Sequence, residues 1–158
     1  MLENLITDRT LADVSRWRQL RDKGWAKMNE LERAEWLAGM KGAYNAADLN
    51  RVGAAFNYLR DRLALAGYLG GNEFNLPTTW DDSHIPTAES FTAYVGAVET
   101  VRAAMSRLRT TPRTPQDTGS LDFQGANDIE QIALDIEELI NKMLSARYYC
   151  GELYSGEI

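Results

Sequence analysis

Asp48-Leu49-Asn50-Arg51-Val52 is echoed eighty positions later by Asp128-Ile129-Glu130-Gln131-Ile132. The register continues without a gap through Phe56/Ile136, Leu59/Leu139, Leu63/Met143, Tyr68/Tyr148 and Gly71/Gly151. A unit written twice usually buries its apolar face against a neighbouring copy, so the echo speaks to architecture first. Within each copy the apolar residues alternate at spacings of three and four, which is the pattern of a helix with one buried stripe. The matched positions are almost all apolar, Asp48/Asp128 being the polar exception, so what is repeated is a way of packing.

Working outward, Thr10 followed by Asp13 reads as a capping pair opening a helix over about Leu11 to Lys23, which Gly24 closes. Asn29 with Glu32 opens a short helix carrying Leu31, Trp36 and Leu37. A third helix runs from about Tyr44 to Ala66, and residues 67–86 form a connection punctuated by Gly67, Gly70, Gly71 and Pro77. Thr87 and Ser90 start a fourth helix, whose seam Phe91, Tyr94, Val98, Val101, Met105 and Leu108 is the most regular in the chain. Pro112 and Pro115 exclude a helix from the stretch Arg109 to Ser120. The last helix spans about Phe123 to Tyr149, with Ala133, Ile140 and Leu144 widening its apolar face toward more than one neighbour.

Thr10/Thr87, Val14/Phe91 and Trp17/Tyr94 align more weakly at an offset of 77. The expectation is an all-α helical bundle of about five helices, built from two related helical hairpins. Residues 1–76 form a first unit of three helices and 77–158 a second of two, packed as one compact domain around a four-helix core capped by the short helix. Trp17, Trp25 and Trp36 are expected in the core.

Composition narrows function by exclusion. The 158 residues are 44% hydrophobic, enough for a real core. The net charge of -6 disfavours nucleic acid, which needs clustered Lys and Arg. Residues 1–76 hold 11 basic and 10 acidic side chains, whereas 77–158 hold 6 and 13, so the acidity belongs to the second unit. The start Met1-Leu2-Glu3-Asn4-Leu5-Ile6 lacks the pattern of a signal peptide, and no segment has the length of a membrane span, so synthesis in the cytoplasm with no membrane partner is expected.

One cysteine, Cys150, permits no internal disulfide, and one histidine, His84, does not suit multi-histidine metal sites or a Glu-x-x-His bundle centre. Asp48 and Asp128, near the starts of two long helices, could approach as a carboxylate pair, but acids in a first turn more often compensate the helix dipole. No catalytic, cofactor-binding or metal-binding residue is assigned, and the chain reads as non-enzymatic. Aromatic residues make the better case for recognition: Trp80 in the connection, with Tyr148, Tyr149 and Tyr154 near the end, are the candidate interaction residues.

Four stretches also carry a resemblance: Leu5-Ile6-Thr7-Asp8-Arg9-Thr10, then Lys41 to Val52 with Tyr58-Leu59, then Trp80 to Ile85-Pro86-Thr87, and Gly151-Glu152-Leu153-Tyr154-Ser155-Gly156-Glu157. In this order the chain resembles a family of small helical proteins encoded in the tail and structural gene regions of phages and prophages of Firmicutes-type bacteria. The resemblance implies a virion-associated or tail-assembly protein whose partners are other phage structural proteins or further copies of itself. The alternative is a binding module that recognises a host envelope carbohydrate or surface protein through the same aromatics.

Overall fold

Three long helices supply the core. The computed structural model describes residues 2–69, 74–81, 83, 86–116 and 121–151, with the side chains of 147–151 excepted. In chain order the helices are α1 (Leu11–Lys23), α2 (Glu30–Leu37), α3 (Ala46–Leu65), α4 (Ala88–Ala103) and α5 (Phe123–Gly151), with a 3-10 turn at Trp25–Lys27. The fold is an all-α helical bundle, with no strand among the described residues.

Local chemistry sets the helix starts. Thr10, Asn29 and Asn45 each cap a helix reciprocally, the cap side chain accepting from the third residue's amide while Asp13, Glu32 or Asp48 accepts from the cap's own amide. Thr87 caps α4 by accepting from the Ser90 amide, so the weakly matched Thr10 and Thr87 do the same work. At the far end of α3, the Tyr68 amide donates to the Leu63 carbonyl and the Gly67 amide to Ala64, with Gly67 at φ 80° where a side chain would be strained.

The apolar stripe of α3 (Leu49, Val52, Phe56, Leu59, Leu63) meets Ile129, Ile132, Ala133, Ile136 and Ile140 of α5 and Tyr94, Ala97, Val98 and Val101 of α4. Contacts between α3 and α5 recur at a constant offset: Arg51 to Glu130, Tyr58 to Glu137, and Arg62 to Asn141, each 79 residues apart. Both members of each pair advance together, so the two echoed helices run parallel. The repeated pattern therefore packs against itself in nearly its own register.

A parallel arrangement demands long return connections, and the structure has them. The first descends α3: the Asn57 side chain brackets the Leu76 backbone, donating to its carbonyl and accepting from its amide at 2.9 Å each, and Asn50 brackets Trp80 in the same way at 2.7 Å. The second doubles back along α4, where Arg102 donates to the Pro112 carbonyl at 2.6 Å and the Thr114 hydroxyl donates to Glu99. That return explains a departure from the sequence reading. The seam continues to Leu108, but α4 ends at Ala103, because the following residues turn to bring Pro112 and Thr114 under Arg102 and Glu99.

A second departure concerns α1 and the tryptophans. No residue of α1 or α2 belongs to the core cluster, so the expected four-helix core is a three-helix core with an N-terminal arm beside it. Within the arm Leu20 of α1 and Met28 are buried, and Arg16 to Glu35 at 2.7 Å and Lys23 to Glu32 at 2.6 Å join its two helices at the surface. Trp25 is 48% exposed beneath the Arg33 guanidinium, while Trp17, under Arg21, and Trp36 line open grooves. Hydrophobic spacing alone could not distinguish a stripe facing the bundle from one facing a cleft.

Candidate functional site

The densest convergence of charge lies where the N-terminal halves of α3 and α5 meet the N-terminal segment. Asp48 Oδ1 and Glu130 Oε1 each accept from the same two guanidinium nitrogens, Arg9 Nη2 at 3.0 and 2.7 Å and Arg51 Nη2 at 2.5 and 3.1 Å. Two formal positive and two formal negative charges thus close a square. Glu130 is fully buried and the Arg9 side chain 2% exposed, so each charge depends on its neighbours for what water would otherwise supply. Burial by itself would lower the Arg51 pKa, but the two carboxylates outweigh it and hold Arg51 above the usual arginine value.

The same cluster stitches down residues 2–9. Glu130 Oε2 accepts from the Ile6 amide at 2.5 Å, and Arg9 Nη1 donates to the Ile6 carbonyl at 2.6 Å. Asn127 completes the seam, accepting from the Arg9 amide at 3.0 Å and donating to the Arg9 carbonyl at 2.9 Å. Leu2, at the start of this segment, is buried in the core. Arg9 also lies 5.5 Å from the Tyr44 ring centre. The Tyr44 hydroxyl meets that of Tyr94 at 2.7 Å, and burial pushes both phenols well above the ordinary tyrosine value, the nearby Glu130 and Asp48 adding to the effect.

Asp48 and Asp128 are not brought together. Asp48 faces Glu130 through the two arginines while serving as the third residue of the α3 capping box, and Asp128 accepts from Gln124 one turn earlier on its own helix. The sequence reading missed Arg9, Arg51, Asn127 and Glu130. One signal for Glu130 was present: it stands four residues after Ala126 and three before Ala133, on the buried stripe. A charge there requires a partner, though periodicity does not say which. Among the described residues no group of three or more His, Cys, Asp or Glu side chains converges as a metal-ligand set.

Trp80 is half-buried against the core and its backbone is held at both polar atoms by Asn50. Tyr148 and Tyr149 fall on α5, but their side chains, like that of Cys150, lie outside the described residues, as do Tyr154 and His84 entirely.

Two grooves flank the segment 38–47, each of about 510 Å³. Gly42 makes this arrangement feasible, since a Cβ there would sit 2.1 Å from the Asp13 carbonyl oxygen of α1. One groove is lined by Trp17, Trp36, Leu37 and Met40, the other by Leu11, Val14, Trp17, Arg18, Lys41 and Phe123 among others. Around them the arm exposes large apolar side chains: Leu31 at 82%, Leu37 at 75% and Leu11 at 63%.

Fold and site together define an all-α bundle closed by a buried ion square and carrying a partly uncovered apolar arm. No family model, curated protein or solved structure matches the chain. No described helix is long and apolar enough to cross a membrane.

Proposed function

We propose that this chain is a non-enzymatic structural or adaptor protein of a phage or prophage tail region, acting through protein-protein contacts. The observation that carries the contact reading is the arm: α1, α2 and the turn between them add nothing to the core cluster yet hold Leu11, Trp25, Leu31 and Leu37 at the surface, the two helices being capped and ion-paired. Large apolar side chains fixed on a rigid frame gain free energy when a partner covers them. The buried charges favour the same reading, because Arg9, Arg51, Asp48 and Glu130 are engaged in holding the N-terminal segment to the bundle. The tail-region assignment rests on the sequence resemblance, whose longest stretch, Lys41 to Val52, contributes Tyr44, Asp48 and Arg51 to this centre.

Immunoblotting of purified particles and tail intermediates from an induced lysogen carrying this gene tests the proposal, with the protein expected to co-purify with tail material. Deleting residues 148–158 should leave the bundle folded, since among the described residues the last fully buried core residue is Ile140, while lowering its incorporation. Absence from all particle and tail fractions would overturn the reading. Co-sedimentation of the purified protein with host cell walls would instead support the envelope-binding alternative.

A further inference from the structure

We infer that the groove between α1 and the start of α5 receives the C-terminal segment Glu152 to Ile158 of a second copy of this chain, joining copies head to tail. The inference rests on the contact reading above and names both surfaces of one such contact.

Reach decides that the contact is between copies. Phe123, the first residue of α5, lines the groove, whereas the segment begins after Gly151 at the other end of the same helix. Twenty-eight helical steps separate these ends by about 42 Å at ~1.5 Å per residue. Seven residues pulled straight span no more than about 25 Å. The segment therefore cannot enter the groove of its own chain.

Chemistry decides the match. The groove has an apolar lining of Leu11, Val14, Trp17 and Phe123, and its volume of about 510 Å³ accommodates large side chains such as Leu153 and Tyr154. At its rim Arg18 is exposed with no ion-pair partner among the described residues, while Lys41 is bound to Asp8 at 2.7 Å and Asp122 accepts from the Gly125 amide. Charge at the two surfaces is complementary. The segment carries Glu152 and Glu157 and no basic side chain, whereas the groove lining holds Arg9, Arg18 and Lys41 against one acid, Asp122. Such complementarity chiefly steers encounter and register, with the apolar side chains providing the adhesion. A groove at one end and a segment at the other make the contact heterologous, so copies add into a ring or a filament.

Sedimentation equilibrium on four samples of full-length chain tests this. The parent should gain mass with concentration. A groove variant, Leu11→Glu/Arg18→Glu, alters only exposed side chains and should keep the parent's circular dichroism melt while weakening association at least tenfold. A tail variant, Leu153→Ser/Tyr154→Ser, should do the same. Mixed at equal concentration, the two variants should restore a single contact, because one retains the tail and the other the groove, giving a species of twice the chain mass that grows no further. A parent that remains monomeric overturns the inference, as does unchanged assembly in either variant or failure of the mixture to pair. Those results leave the particle-incorporation test of the contact reading standing on its own.

Discussion

Replacing Glu130 with Gln probes the ion square at its most buried member. The wild-type carboxylate accepts from Arg9 and Arg51 through one oxygen and from the Ile6 amide through the other. A glutamine amide cannot serve both sides: either orientation sets an N–H₂ group against a donor, the guanidinium nitrogens or the Ile6 amide. The substitution also leaves Arg9, 2% exposed, in a cluster carrying one excess positive charge. Breaking a buried pair in this manner typically costs about 3–5 kcal/mol, a large share of the 5–15 kcal/mol that holds an ordinary domain together. For a chain of this size that corresponds to a fall in Tm of roughly 6–20 °C. Urea and thermal unfolding followed by far-UV circular dichroism give the magnitude, and hydrogen exchange at the Ile6 amide reports whether residues 2–9 detach. The control is Asp128→Asn, which removes an exposed helix-start charge while leaving an oxygen to accept from Gln124 on the same helix, and should cost less than about 1 kcal/mol. A Glu130→Gln loss below about 1 kcal/mol with Ile6 protection unchanged would refute the assignment of Glu130 as the residue that secures the N-terminal segment.

Gly42→Ala places a methyl group against the backbone of Asp13 and Val14, where no flexible side chain can yield, and should cost about 1–3 kcal/mol, seen as a lower Tm with loosening confined to the arm by hydrogen exchange. Gly96→Ala is the opposite case: this α4 glycine has open space around it, so the added helix propensity should stabilise the protein by about 0.5–1 kcal/mol in urea titration. Because Tyr44 and Tyr94 have folded pKa values raised above the unfolded value of about 10, the unfolded chain loses protons first. Their contribution is therefore intact below about pH 10 and lost as pH rises beyond it, and a Tyr44→Phe/Tyr94→Phe variant should show a flatter alkaline limb of Tm against pH than the parent; superimposable limbs would contradict the buried pair. Asn50→Ala removes both hydrogen bonds that hold the Trp80 backbone and should cost about 1–3 kcal/mol with increased exchange at the Trp80 amide.

Sequence by itself determined the local events. Reciprocal caps at Thr10 and Asn29, the break after Gly24 and the apolar stripes of α3 and α5 depend on residues within a few positions of one another, where backbone chemistry and helical periodicity act directly. The echo between Asp48-Val52 and Asp128-Ile132 likewise marked the two helices that pack together, and their contacts fall one position from the echoed offset.

Tertiary structure alone decided which stripes face the core and which charges meet. The Trp17 and Trp36 stripes resemble core stripes in spacing, yet they line grooves because α1 and α2 stand beside the three-helix core and add no residue to it. The helix α4 ends at Ala103 although its seam spacing continues, and the chain after it folds back so that the Pro112 carbonyl accepts from the Arg102 side chain. Glu130 could be recognised as a charge on a buried stripe, but its partners Arg9 and Arg51 lie 121 and 79 residues away. Periodicity carries information over a few helical turns, whereas the pairing of buried charges is set by how distant segments come together, which no local spacing encodes.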